Sequence, residues 1–215
     1  MELRPSIRRK PALKRGGARN NAERQSWTLT ERDCRKLIAA SRAALAAGLP
    51  FNRFITCLWE RGGIDRKASV RATGLFVRLA REWLGARGSA MPWVWVQEWG
   101  EVNGAHCHIL LHVPQELDPL FRPMPRRWAS KVLGGRYVHK VIKRDRLRFR
   151  RVTGSNPAAY EAELMGKLHY MLKCTSVALE GDLDMAGRGH VDWGQSCLIY
   201  GKRAAAWQRK PAPEG

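Results

Sequence analysis

Residues 93–114 run Trp-Val-Trp-Val-Gln-Glu-Trp-Gly-Glu-Val-Asn-Gly-Ala-His-Cys-His-Ile-Leu-Leu-His-Val-Pro. Two apolar stretches joined by a short Gly/Asn turn read as an antiparallel β-hairpin. Side chains alternate faces along a strand, so His106 and His108 share one face while Cys107 takes the other. Two imidazoles on one face of a rigid hairpin, near a carboxylate, form a seat for a divalent metal. The turn decides the third ligand. A strict two-residue turn at Asn103-Gly104 places Glu101 opposite His106. A three-residue loop, with Gly104 left-handed, brings Glu98 across from His108. Glu98 is favoured because it lies in the strand proper, whereas Glu101 sits close to the turn. His112 has the same parity and reads either as a strand-end residue or as a further ligand. A His-x-His pair in a strand is also compatible with two unrelated histidines, so the neighbouring carboxylate carries the metal reading.

Charge constrains the partner. Lys and Arg number 39 against 19 acids, a formal net charge of +20 over 215 residues. Such an excess points to a polyanion, with nucleic acid as the first candidate, although ribosomal and membrane-surface proteins share it. No apolar run reaches the roughly 18 residues of a membrane span, and the basic N-terminus lacks the apolar stretch of a secretory signal. The five cysteines, Cys34, Cys57, Cys107, Cys174 and Cys197, are odd in number and form no Cys-x-x-Cys. Neither a disulfide framework nor a zinc ribbon is indicated, and a reducing cytoplasm fits.

The length suits one domain with tails. Residues 1–25 are a basic arm without apolar periodicity, read as disordered, that either wraps DNA or is a solvated tail. Thr30 and Asp33 resemble a helix start, with Leu37, Ile38 and Leu45 as its apolar stripe and Gly48 as its stop. Residues 51–60 read as a strand. A second helix spans about residues 65–84, with Leu75, Phe76, Leu79 and Trp83 at helical spacing. Beyond the hairpin, residues 116–118 read as an acidic loop. Arg126, Arg127, Lys131, Arg136, Lys140 and Lys143 then stand among Phe121, Trp128, Tyr137 and Phe149. That mixture suits a surface that tracks phosphates and stacks bases, and residues 137–143 alternate as a strand. Asn156-Pro157 is a clean helix start, and the helix runs to about Cys174. Leu164, Leu168, Met171 and Leu172 form its buried stripe, while Lys167, Tyr170 and Lys173 fall three apart on another face. The Gly-rich remainder, with Gly187-Arg188-Gly189-His190 and Tyr200-Gly201-Lys202-Arg203, reads as a loop, a short strand near Ile199 and a last helix before a frayed tail at 208–215. No phosphate-cradling Gly-x-x-x-x-Gly-Lys-Ser/Thr occurs, so a built-in nucleotide-driven motor is not expected.

A metal seat, a tyrosine between lysines and a basic body converge on phosphodiester chemistry. A cation offsets the charge that builds on phosphate oxygens, and a positive neighbour favours a phenol's nucleophilic form. Attack by Tyr170 would leave a 5′-phosphotyrosine and a free 3′-hydroxyl.

In these residues the sequence resembles the HUH endonucleases, specifically the rolling-circle replication initiators of plasmids and phages. His106-Cys107-His108 matches the His-hydrophobe-His motif, Glu98 the acidic residue before it, and Tyr170-Met171-Leu172-Lys173 the Tyr-x-x-Lys nucleophile motif. Phe54-Ile55-Thr56-Cys57-Leu58 looks like the family's earlier strand motif, and the likeness covers about residues 49–203. The histidines precede the tyrosine, as in replication initiators and single-tyrosine transposases. Tyr160 lies about 80° around the helix from Tyr170 and has no Lys three residues on, so it reads as a packing residue.

The resemblance implies an α+β fold with a central antiparallel β-sheet flanked by helices. The nuclease domain is placed at residues 26–207, with Tyr170 and Lys173 catalytic and Glu98, His106 and His108 holding Mg2+ or Mn2+. It implies nicking and joining of single-stranded or hairpin DNA at a replication origin, alongside a host helicase and polymerase. Lys167, Lys202 and Arg203 join the DNA-contact set. A transposase of the same superfamily and a non-catalytic DNA-binding module are the alternatives.

Overall fold

The computed structural model describes residues 23–147, 157–179, 181–183 and 198–207. The basic arm up to residue 22, Phe149, Asn156, Cys197, the Gly187–His190 run and the tail from 208 lie outside the described residues.

Among the described residues, five strands form one antiparallel sheet in the order β5-β2-β4-β3-β7. They are β2 (Arg53–Leu58), β3 (Trp93–Gly100), β4 (Gly104–Leu111), β5 (Ile142–Arg146) and β7 (Ala204–Ala206). A two-stranded ribbon pairs β1 (Gln25–Ser26) with β6 (Ile199–Tyr200). Five α-helices, α1 (Glu31–Ala46), α2 (Ser69–Gly85), α3 (Asp118–Phe121), α4 (Met124–Val132) and α5 (Pro157–Leu172), and three short 3-10 turns complete the described elements. The fold is α+β, as expected.

Strand alternation splits the core in two. Phe54, Val94, Val96, Leu110, Ala204 and Ala206 pack on one side against α1 and α5. Ile55, Cys57, Trp95, Cys107, Ile109 and Ala205 pack on the other against α2 and α4. The sheet is therefore sandwiched between helices, which is why its central strands read as nearly continuous apolar runs.

Local signals place most elements. Thr30 caps α1 by accepting the Asp33 N–H at 3.1 Å, and Gly48 is left-handed (φ 69°) just beyond its end. Leu45 is exposed and leaves the stripe to Cys34, Leu37, Ala40 and Ala44. The second helix begins at Ser69 rather than Asp65, whose carboxylate accepts the Ala68 N–H at 2.7 Å and holds a preceding turn.

Four expectations are corrected. Residues 115–121 are short helical turns, not an acidic loop, and Asp118 is buried there against Arg53 at 2.5 Å. The alternating run 137–143 becomes a strand only from Ile142, because Lys140 turns the chain with φ 62°. Phe121 and Trp128 are buried and pack edge-on against Trp83, with Trp128 also against Phe76; these rings fill the core and offer no face to a base. The expected last helix is instead β7, recruited to the sheet edge by Gln97 N–H to Arg203 O (2.7 Å) and Trp207 N–H to Trp93 O (2.7 Å). Cys34, Cys57, Cys107 and Cys174 are buried thiols. Among the described residues no helix is long and apolar enough to cross a membrane.

Candidate metal centre and its neighbouring tyrosine

The β3–β4 hairpin pairs Gly100 with Gly104 and Glu98 with His106. The loop is three residues long and Gly104 is left-handed at φ 60°. Gly104 closes the ladder instead of sitting inside the loop, so Glu98 stands across from His106 rather than His108. His108 faces Val96 and lies diagonal to Glu98. Glu98 remains the third donor, and Glu101 stays exposed in the turn.

Ligand atoms of Glu98, His106 and His108 all lie within 4.8 Å of one another, and all three residues are buried. Glu98 Oε2 is 3.3 Å from His106 Nε2 and 3.4 Å from His108 Nε2. The opposite ring nitrogens are already engaged: His106 Nδ1 with Gly104 O at 2.7 Å, and His108 Nδ1 with Thr56 Oγ1 at 2.9 Å. Partners on Nδ1 fix the ring planes and leave Nε2 directed inward, the arrangement a metal-ligating histidine needs. Phe54 stacks on the His108 ring at 5.4 Å and 9°. The alternation of β2 carries both Phe54 and Thr56 to this face, so the strand that resembled a family motif supplies the support of the histidines.

Lys173 Nζ contacts Glu98 Oε2 at 2.6 Å. Burial by itself would raise the Glu98 carboxyl, but the His108 and His106 imidazoles and the Lys173 ammonium outweigh it and hold the group well below the usual carboxylate range. Burial also lowers the His108 imidazole, against the pull of Glu98. Lys173 is raised, with the Glu98 charge overcoming its own desolvation. An ionised carboxylate and a His108 pushed toward its neutral form are the protonation states in which these groups bind a divalent cation. Two imidazole nitrogens and a carboxylate oxygen are donors that a divalent metal accepts, so the donor set fits a metal.

Tyr170 stands on α5 with its ring 4.9 Å from that of His108 and 6.2 Å from that of Phe54. Lys173 Nζ lies 3.9 Å from the Tyr170 ring centre. At 45% exposure Tyr170 is the open member of a buried group, and its side chain is reachable from solvent. The helical spacing of Lys167, Tyr170 and Lys173 thus brings all three to the sheet: Lys167 Nζ lies 4.7 Å over Phe54 and 3.1 Å from Asp145. Tyr160 is buried, and its hydroxyl donates to Phe51 O at 2.9 Å, in keeping with a packing role.

One residue escaped the sequence reading. Glu60, just past β2, accepts the Ala105 N–H at 2.6 Å and the Trp99 Nε1–H at 3.1 Å, clamping the hairpin beside His106. His112, whose role was open, is buried with Nδ1 on Pro50 O at 2.7 Å and is outside the metal group; burial lowers its pKa.

The expected DNA contacts divide between surfaces. Lys143 is exposed on the same sheet face as His108, since it pairs with Thr56. Arg126, Arg127 and Lys131 are exposed on α4, which packs against the opposite face. Arg136 and Lys140 are exposed in the following turns, and Lys202 is exposed near the β7 edge. Arg203 is corrected: it is buried and donates to Ser26 O at 2.6 Å and Ser26 Oγ at 3.1 Å, tying the β1–β6 ribbon to the sheet.

A family model for replication-associated proteins of the ORF2 type matches residues 52–169. The matched span includes Glu98, His106 and His108 and stops just before Tyr170. No curated protein matches the chain. Among solved structures, the chain is similar to the N-terminal nuclease domain of minute virus of mice non-structural protein 1, at 15% identity and a TM-score of 0.28. The likeness covers 66% of this chain and 55% of that one, so the chain spans about half of that domain's length.

Proposed function

Because the chain belongs to the ORF2-type family of replication-associated proteins, we propose that it nicks and rejoins single-stranded DNA at the origin of a plasmid or related element, starting rolling-circle replication. One observation carries this reading. A solvent-reachable tyrosine hangs beside a buried His/His/Glu group, its ring 4.9 Å from His108.

Tyr170 Oη attacks the scissile phosphorus, forming the phosphotyrosine bond as the P–O3′ bond breaks. The phenolic proton leaves to solvent and the departing 3′ oxygen takes one up. Reversal of the same step by a 3′-hydroxyl rejoins the strand, since the phosphotyrosine keeps the phosphodiester's energy. Glu98, His106 and His108 would hold Mg2+ or Mn2+, which polarises a phosphate oxygen and offsets the charge that builds in the transition state. Thr56 and the Gly104 carbonyl keep the imidazoles oriented. Phe54 and His108 form a wall against which the Tyr170 ring rests, so the phenol meets the phosphate from a restricted set of orientations. Lys143 and Lys167 stand on the same face, where a strand's phosphates would pass. The freed 3′-hydroxyl is a primer end for a host polymerase behind a host helicase.

The test is a covalent one. The protein is incubated with Mn2+ and single-stranded oligonucleotides tiled across the DNA flanking its own gene, and denaturing gels are read for a protein–DNA adduct. An adduct is expected with the wild type and absent in Tyr170→Phe, with at least a hundredfold loss, on the order of a missing nucleophile's effect. An adduct that persists in Tyr170→Phe removes Tyr170 from the role. Nicking retained in a His106→Ala/His108→Ala double variant removes the metal.

A further inference from the structure

The sheet face opposite the histidines carries a groove of about 550 Å³ between α2 and the β3–β7 edge. Lys67, Arg71, Arg78, Arg81 and Lys202 line it; Arg78 also pairs with Glu82 at 3.7 Å and Lys67 with Glu23 at 3.5 Å, so the lining keeps an excess of positive charge. Trp93, Trp95 and Tyr200 are among its lining residues. Trp93 and Tyr200 are only partly buried, so each keeps some ring surface exposed. The Lys67 ammonium lies 5.3 Å from the Tyr200 ring centre, which puts a cation and an aromatic face at one spot. Arg71, Arg78 and Arg81 are all exposed on α2 at spacings that set them on one helix face.

Gly74 sharpens the case. A glycine within a helix costs about 1 kcal/mol relative to alanine, and a Cβ built at Gly74 meets nothing within 4 Å. No neighbour requires its small size, yet its missing side chain leaves the groove open between Arg71 and Arg78.

Lys202 links the two sides of the molecule. It lines this groove, and β7, which begins two residues further on, is covered on the histidine face by α1. It therefore stands where a chain crossing the β7 edge would pass from one face to the other. Regular cationic spacing with exposed ring surface is the recognition chemistry of a single nucleic-acid strand, in which phosphates meet the cations and bases lie on the rings.

We propose that this groove holds the single-stranded DNA that continues from the scissile site around the β7 edge, as a second binding segment distinct from the nicking site. The proposal rests on the DNA-nicking reading for the identity of the polymer, and the two are tested by separate readouts. Anisotropy of 5′-fluorescein oligonucleotides is measured in a Tyr170→Phe background, so that no covalent capture intervenes. Lengthening the oligonucleotide from about 8 to about 20 nucleotides is expected to tighten binding about tenfold or more through added stacking and phosphate contacts. Arg71→Glu/Arg78→Glu should lose that gain, and the slope of log K against log salt should become shallower by roughly 1–2, as counterion release by two lost contacts predicts. Gly74→Leu should lose the gain as well, with an undiminished Tm showing that the helix is intact. With Tyr170 present, adduct formation on the short oligonucleotide should be the same in all groove variants.

A length-dependent gain that survives both Arg71→Glu/Arg78→Glu and Gly74→Leu overturns the proposal. So does a groove that binds poly-glutamate without competition from the oligonucleotide, which assigns it to an acidic protein partner. Absence of any adduct in the wild type overturns the nicking reading, while anisotropy still reports on the groove.

Discussion

The position of His106 depends on a single backbone conformation. Gly104 takes φ 60°, and a Cβ there would lie 2.6 Å from Glu60 Oε2 and 2.7 Å from Glu60 Cβ. Glycine is needed twice over, for the left-handed conformation and for the close approach of Glu60. Gly104→Ala should therefore cost about 2–3 kcal/mol, roughly 1 from the backbone and the rest from displacing the Glu60 clamp. The Gly104 carbonyl orients His106, so Mn2+ affinity by calorimetry should fall about 10–100-fold, as for other disturbed ligand supports. Glu60→Ala removes the clamp without the backbone strain and should lie between the wild type and Gly104→Ala; an effect as large as that of Gly104→Ala would place the whole cost in the clamp. At this scale the donors were legible, because parity fixes which face a strand residue takes. The Glu98–His106 register was not, since it depends on where the ladder closes around Gly104. Glu60 was invisible for a different reason: its contact spans 45 residues of chain, and no local pattern announces it.

Elements with their own punctuation were read correctly from sequence. The Thr30 cap, the Gly48 stop and the Leu164/Leu168/Met171/Leu172 stripe each carry a local cause that survives folding. Elements that owe their state to a neighbour were misread. Ala204-Ala205-Ala206 favours a helix by propensity, but β3 offers an open edge and the triplet fills it with side chains small enough to sit in both cores. The basic and aromatic run after residue 120 looked like one surface, yet Phe121 on α3 and Trp128 on α4 turn inward while Arg126 and Arg127 stay exposed. The joint between β2, β5 and α3 was hidden in the same run. Buried Asp118 meets Arg53 at 2.5 Å and also pairs with Arg146 and Arg122. Burial alone would raise the Asp118 carboxyl, but Arg53 first, then Arg146 and Arg122, hold it below its ordinary value. A depressed carboxyl contributes stability above its unfolded pKa of about 3.9 and loses it as pH falls through the folded value. Asp118→Asn should thus destabilise the protein by about 3 kcal/mol at neutral pH, where it removes the buried counter-charge that Arg53 and Arg146 share. The gap between variant and wild type in urea melts should narrow steadily below about pH 4. A gap that stays constant down to pH 2 would mean that Asp118 acts by shape rather than by charge.

For the whole molecule, the Glu98/His106/His108 group is a joint between layers. Its donors sit on the central strands β3 and β4, and Lys173 brings the end of α5 onto the same carboxylate oxygen. Lys173 and a cation would compete for Glu98 Oε2, because the ammonium already occupies one side of it at 2.6 Å. The lysine thus neutralises a buried carboxylate that would otherwise cost several kcal/mol, and it helps pin α5, with Tyr170, over the histidines. A ligand that binds only the folded state stabilises it by mass action, by about 2.7 kcal/mol at a hundred times Kd. Mn2+ should therefore raise Tm in the wild type, EDTA should reverse the rise, and His106→Ala/His108→Ala should abolish it. Lys173→Met separates the two roles. Without metal its Tm should fall, since Glu98 loses its counter-charge. With saturating Mn2+ much of that loss should return, so the metal-induced shift should exceed that of the wild type. A shift no larger than the wild type's would mean that the ammonium moves aside at no cost, and that Lys173 serves the Tyr170 side of the site rather than the carboxylate.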